Sequence, residues 1–251
     1  MVNLVTQSAL IEPTATREAT LSHKFGRAFT PRFSYVIFDM DGTLVDTFNL
    51  ITGAYNFAAG DFLNGRLSMK EVLSLPGRTL DEVLAKNVPA AHLDDVLDRY
   101  HWFFEKNFHS QTKVFPGIRK LLVTMRRKGI KLAVFTGASR RTAQITLRKS
   151  ELADFFLRLV SADDVNQPKP DPEGLQIVMN AMGADPDKTV YVGDHPDDII
   201  ASRNARIKTA AALWGSKRSR DLQALHPDFI FKAPSDAHEL AAWSLTDLEV
   251  R

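Results

Sequence analysis

Tyr35-Val36-Ile37-Phe38-Asp39-Met40-Asp41-Gly42-Thr43-Leu44-Val45-Asp46-Thr47 is the stretch that decides the fold. Four apolar residues, two of them β-branched, stop at an aspartate, and a second aspartate and a glycine follow at once. A short apolar run with such an end reads as a strand buried in a parallel sheet. The acids then lie just past its C-terminal end, where open parallel sheets bind their ligands. Gly42 lets the chain turn sharply there.

Similar runs recur downstream at Lys131 to Phe135, Leu157 to Val160, Thr189 to Val192, Ile207 to Leu213 and Phe229 to Phe231. Helical patterns with recognisable ends lie between several of them. Pro116-Gly117 precedes Ile118, Leu121, Leu122 and Met125, and Gly129 stops that pattern. Asp171-Pro172 reads as an N-cap followed by proline at the first helical position, and Gly183 closes the helix. Strands alternating with helices of this length predict an α/β fold, a Rossmann-like, doubly wound parallel sheet.

One interval breaks the alternation. From Asp46 to about Lys113 there is no buried strand. Two capping boxes appear instead, Ser68 to Glu71 and Thr79 to Glu82. After them Leu93, Val96, Leu97, Tyr100, Phe103, Phe104 and Phe108 fall at helical spacing, a core-facing stripe. The interval is far too long for a strand-to-helix loop. The expected division is an arm over residues 1–32, loosely ordered on the surface, an α/β core over 33–47 and 114–251, and an inserted helical domain over 48–113.

Composition narrows the classes. In 251 residues, 44% are hydrophobic and 25% charged, as in globular chains. Lysine and arginine number 32 against 30 acids, a net charge of +2, and no nucleic-acid motif accompanies the pI of about 8.8. There is no cysteine, which excludes disulfides, zinc–thiolate sites and thiol nucleophiles, and is compatible with a cytoplasmic setting. No run of 18 apolar residues suggests a membrane span. Residues Met1 to Pro31 lack the apolar run of a secretory signal.

The residues after each strand carry the chemistry: Asp39 and Asp41, then Thr136-Gly137, then Lys169 between two prolines, then Gly193-Asp194 with His195, Asp197 and Asp198. Carboxylates from two strand ends suit Mg²⁺, which prefers oxygen ligands. Such an ion lets an anionic phosphate approach an anionic aspartate, and an aspartate can attack phosphorus. A lysine and a threonine offer donors to the transferring phosphoryl oxygens. A second aspartate two residues on can handle the proton. A calcium loop of the EF-hand type does not fit, because Thr43 and Leu44 occupy positions that need an acid or amide and a glycine.

These segments resemble the haloacid dehalogenase superfamily over roughly residues 33–240. Asp39 to Thr47 is similar to its first motif, Thr136 to its second, Lys169 to its third, and Gly193-Asp194 with Asp198 to its fourth. The resemblance implies Asp39 as nucleophile, Asp41 as general acid and then base, and Thr136 and Lys169 as phosphate binders. It implies Mg²⁺ held by the Asp39 carboxylate, the Asp41 backbone carbonyl and Asp194, with support from Asp198. It also implies that the helical insertion is a cap. Thr43 and Gly137 are expected to contact substrate. Arg78, in the turn Pro76-Gly77-Arg78, is expected to read a second anionic group on it.

Within the superfamily, phosphoglycolate-phosphatase-like and pyrophosphatase-like members are similar in Val45-Asp46-Thr47, Leu75-Pro76-Gly77-Arg78 and Phe115-Pro116-Gly117. Gly137, where many phosphoglycolate-type members carry asparagine, and His195-Pro196 depart from the pattern. His195 is read as a bystander, and Lys217-Arg218 as a helix end or a solvated face. The expectation is therefore a Mg²⁺-dependent phosphatase of a small phosphorylated metabolite, monomeric or homodimeric, with no nucleic-acid or membrane partner. A phosphomutase is the alternative on the same fold. A phospho-accepting signalling module fits less well, because such domains carry no cap and separate their acidic pair from the phosphorylated aspartate.

Overall fold

The computed structural model describes residues 27–63, 65–75 and 80–247. The residues named above split on this boundary. Arg78 and Thr79 lie outside the described residues, as do residues 1–26 of the arm.

Six strands form one parallel sheet: β2 (Tyr35–Phe38), β5 (Lys131–Phe135), β6 (Arg158–Val160), β7 (Thr189–Gly193), β8 (Lys208–Ala212) and β9 (Phe229–Phe231). Their order across the sheet is β6-β5-β2-β7-β8-β9, and all pairs are parallel. The chain first winds outward from β2 through β5 to β6, then returns to β7 and winds the other way. The winding direction therefore reverses between β2 and β7, where such sheets open a ligand crevice.

Alternation along the strands feeds two cores, one on each face. Val36 and Phe38 of β2 pack with α5 (Ile118–Arg127) and α6 (Arg140–Lys149), through residues such as Leu121 and Ala143. Ile37, with Ala133 and Phe135 of β5, packs with α7 (Glu173–Met182) and α8 (Pro196–Asn204), through Leu175, Val178 and Ala201. Helix α5 starts after Gly117, held at φ +95°, and stops before Gly129, at φ +75°. Helix α7 begins one residue later than expected. The Asp171 carboxylate accepts from the Glu173 N–H, which leaves Pro172 at the cap rather than in the first turn.

The interval without sheet strands is helical: α1 (Phe48–Ala59), α2 (Met69–Leu73), α3 (Leu80–Asn87) and α4 (Leu93–Gln111). In α4 the expected stripe faces inward, with Val96, Tyr100, Phe104 and Phe108 buried. The Ser68–Glu71 capping box opens α2, its two hydrogen bonds made reciprocally. The chain leaves the core at β3 (Val45–Asp46) and comes back at β4 (Lys113–Val114), and the two pair antiparallel. Helix α4 is tied to α6 by Arg141–Asp98 at 3.1 Å and Arg148–Glu105 at 2.6 Å.

One element was not legible. β1 (Arg27–Pro31) pairs antiparallel with β10 (Trp243–Asp247), so order begins before Phe33. The segment α9 (Ser219–Ala224) completes the helices. Among the described residues no helix is long and apolar enough to cross a membrane.

Candidate active site

Asp39 caps the C-terminal end of the central strand, where its N–H donates to the Val192 carbonyl of β7 at 2.8 Å. The chain then curls around the Met40 carbonyl, which accepts from Leu44 N at 2.8 Å and Val45 N at 3.1 Å. Gly42 is required in this curl on two counts. Its φ is +80°, and a Cβ there would lie 2.3 Å from Oδ2 of Asp194. A second glycine closes the other side: a Cβ on Gly215 would meet the Gly42 carbonyl oxygen at 1.8 Å. The Trp214 indole N–H donates to the Thr43 carbonyl at 2.9 Å, and the Ser216 hydroxyl donates to the Asp194 carbonyl at 2.6 Å. The loop after β8 thus braces both acidic loops.

Three carboxylates converge. Asp39, Asp194 and Asp198 are buried, and each offers a ligand oxygen within 4.8 Å of the others. Lys169 answers part of their charge. Its Nζ donates to Asp39 Oδ1 at 2.9 Å, to Asp198 Oδ1 at 2.7 Å and to the Tyr191 hydroxyl at 3.2 Å. That hydroxyl in turn donates to the Phe135 carbonyl at 2.9 Å. Asp198 also accepts from the His195 N–H with its other oxygen, at 2.9 Å, as the reciprocal half of the α8 capping box. It is therefore both a helix-capping acid and a member of the cluster.

The electrostatics follow from burial and crowding. Burial pushes the Asp39 carboxyl up to about 7. Lys169 opposes that shift, and Asp198 and Asp41 add to it. Burial, with Asp39 and Asp198 beside it, holds Asp194 well above the usual carboxylate range. Burial disfavours charge on Lys169, but Asp198 and Asp39 more than offset this and hold it well above the usual lysine value. Asp41 is also raised by burial, against the pull of the Thr47 hydroxyl and of Lys169. Thr47 donates to Asp41 Oδ1 and fixes that side chain.

The all-oxygen donor set, whose repulsion Lys169 relieves only in part, fits a hard divalent cation such as Mg²⁺. The residues that would hold it are Asp39, Asp194 and Asp198 by their carboxylates.

The remaining expected residues divide. Thr136 is buried at the end of β5. Its oxygen accepts from the Ala138 N–H at 3.1 Å, which leaves the hydroxyl proton to donate. Thr43 is also buried, and its hydroxyl donates to Asp194 Oδ1 at 2.7 Å, which orients that carboxylate. Gly137 is exposed and lines a cavity of about 280 Å³ beside Thr136 and Lys169. A separate cavity of about 790 Å³ receives Asp39, Asp41 and Asp194 from the core, and Met69, Lys70 and Leu73 from α2. Lys217 and Arg218 line it too, so the expected solvated face borders the cavity that contains the aspartates.

Sequence reasoning missed Tyr191 and the Trp214-Gly215-Ser216 brace. Tyr191 had a signal: its hydroxyl, in a strand otherwise fit for full burial, has to find a partner. The brace had none, because its contacts are with residues far away in the chain.

Comparison with known proteins agrees with this fold. The profile of the family described as haloacid dehalogenase-like hydrolase matches residues 36–212. Pyrophosphatase PpaX of Bacillus velezensis is 30% identical over 205 residues, covering 82% of this chain and 94% of that protein. Among solved structures, a predicted phosphoglycolate phosphatase from Haemophilus somnus superimposes with a TM-score of 0.74 at 20% identity, covering 83% of this chain and 98% of its own. A haloacid dehalogenase-like hydrolase from Bacteroides fragilis gives 0.68 at 23% identity, over 80% and 97%.

Proposed function

The chain belongs to the haloacid dehalogenase-like hydrolase family, and from that premise we propose that it is a Mg²⁺-dependent phosphatase of a small phosphorylated metabolite, working through an aspartyl-phosphate on Asp39. The observation that carries the reading is the convergence of Asp39, Asp194, Asp198 and Lys169 where the winding of the sheet reverses, with Asp39 and Asp194 opening onto a cavity that also receives Asp41. The 30% identical relative named as a pyrophosphatase supports a phosphoanhydride substrate, and the resemblance to phosphoglycolate-phosphatase-like members adds phosphomonoesters.

Bound between Asp39, Asp194 and Asp198, Mg²⁺ would neutralise charge and polarise the phosphoryl group. The chain's own residues do the rest. An Asp39 carboxylate oxygen attacks phosphorus, the bond to the leaving oxygen breaks, and the Asp41 carboxyl gives that oxygen its proton. Burial raises the Asp41 carboxyl, a shift in the direction that suits a proton donor. Water then attacks the aspartyl-phosphate as Asp41 takes a proton from it, and the Asp39–phosphorus bond breaks to release orthophosphate. Lys169 and the Thr136 hydroxyl stabilise the transferring oxygens. Thr43 positions Asp194 and Thr47 positions Asp41.

The four helices between β3 and β4 are read as a cap, because α2 contributes to the cavity that Asp39 and Asp41 line. A phosphate-release screen over pyrophosphate, phosphoglycolate, sugar phosphates and nucleotides, with Mg²⁺ and after chelation, tests the proposal. Orthophosphate release that needs Mg²⁺ supports it. Release that survives exhaustive chelation refutes the metal dependence, and silence across the screen refutes the phosphatase reading.

A further inference from the structure

Resting on that phosphatase reading, we propose that Lys70 and Lys217 form a second anion subsite that reads a negatively charged leaving group. The preferred substrates are then phosphoanhydrides, or phosphate esters that carry a further carboxylate or phosphate.

The two lysines line the cavity of about 790 Å³ from different elements, Lys70 from α2 and Lys217 from the loop after β8. Neither has a carboxylate partner among the described residues. Their neighbour Arg218 does, since its Nε donates to Asp221 Oδ2 at 2.8 Å. The Lys217 ammonium lies 5.0 Å from the ring centroid of Phe48, which lines the same cavity. A cation–π contact of this kind holds it at the cavity wall.

The transferring phosphoryl does not need these two charges. Lys169, beside Asp39, and the Thr136 hydroxyl proton already serve its oxygens in the proposed reaction. A neutral polyhydroxyl leaving group would instead call for acceptors on the cavity wall. Beyond Asp39, Asp194 and Asp41, that wall offers the cations Lys70, Lys217 and Arg218, the apolar Phe48, Met69 and Leu73, and only Ser74 and His195 as further polar side chains. Two like charges facing one space repel until an anion sits between them. Both lysines are exposed, so the attraction to an anion is the modest one of partly solvated charges.

The test compares Lys70→Met and Lys217→Met with the wild type, with Lys217→Arg as the conservative control. In the kinetic arm, kcat/KM for pyrophosphate and for phosphoglycolate is divided by that for p-nitrophenyl phosphate. Each methionine variant should lower the ratio by about tenfold, mainly through KM, as expected for loss of a charge-assisted bond. Lys217→Arg should keep most of it. The substrate that loses more identifies the second group as phosphate or carboxylate.

In the binding arm, calorimetry with Mg²⁺ compares methylenediphosphonate with orthophosphate. The methionine variants should weaken the first about tenfold relative to the second. Unchanged ratios in both arms overturn the subsite. So do equal losses on all anions, because general steering acts on every anion alike. If the wild type releases no phosphate from any substrate, the phosphatase reading fails, and the calorimetric arm still decides the subsite.

Discussion

Thr43→Val removes one hydroxyl and almost nothing else. The side chain is fully buried, valine has nearly its shape, and among the described residues the hydroxyl's partner is Asp194 Oδ1 at 2.7 Å. Losing a hydrogen bond to a charged group costs about 1.5–3 kcal/mol. At about 1.4 kcal/mol per factor of ten, that is roughly 10–100-fold in an equilibrium constant. The loss should fall on metal affinity, because Asp194 is then free to turn away from Asp39 and Asp198. Groups that orient ligands typically matter on this same 10–100-fold scale. The assay is a Mg²⁺ titration of phosphate release, with metal binding followed separately by calorimetry. The expected result is an apparent Mg²⁺ constant about 10–100-fold weaker, with most of the rate recovered at saturating Mg²⁺. An unchanged Mg²⁺ constant, or a rate loss that no Mg²⁺ concentration recovers, would refute the positioning role.

Lys169→Met leaves Asp39 and Asp198 buried without the cation now 2.9 and 2.7 Å away. Breaking such a buried pair costs about 3–5 kcal/mol, so urea denaturation without metal should show a clear drop in stability, partly restored by Mg²⁺. A wild-type midpoint would contradict it. Asp228 supplies a pH test away from the site. Its carboxylate accepts from Lys208 Nζ at 2.7 Å and from Thr209 N at 2.9 Å. Burial alone would raise its carboxyl, but those bonds hold it below the usual 3.8. A lowered carboxylate adds stability that is fully present above the unfolded value and lost as pH falls through the folded one. Wild type should therefore exceed Asp228→Asn in denaturation midpoint at pH above about 4, and the gap should close at lower pH. A gap independent of pH would contradict the assignment.

The parts of the fold that were legible share one property: their signal is local. Tyr35 to Phe38 and Thr189 to Val192 are apolar runs that stop at polar residues, so both the strands and the acids at their ends could be read together. The aromatic stripe of α4 announced its buried face by spacing alone. What stayed hidden depends on partners distant in sequence. β1 is visible only through its pairing with Trp243–Asp247, and neither strand alternates in a way that marks burial. Gly215 looks like an ordinary turn residue until the Gly42 carbonyl is set against it. Thr43 sits in the first acidic loop and so invited a substrate role, but folding brings Asp194 within reach of its hydroxyl first. Lys217 read as a solvated face because nothing near it in the chain shows that its loop borders the Asp39 cavity.

The measurement closest to the central claim is a search for the phosphorylated aspartate itself. Enzyme mixed with substrate and Mg²⁺ is quenched in acid within the first turnover, digested, and its peptides weighed. The account predicts a peptide containing Asp39 that is heavier by one phosphoryl group, a species that disappears on chase and is absent from Asp39→Asn, which releases no phosphate above background. Orthophosphate release by Asp39→Asn at a rate comparable to wild type, or the phosphoryl group found on another residue during turnover, would contradict the assignment of Asp39 as nucleophile.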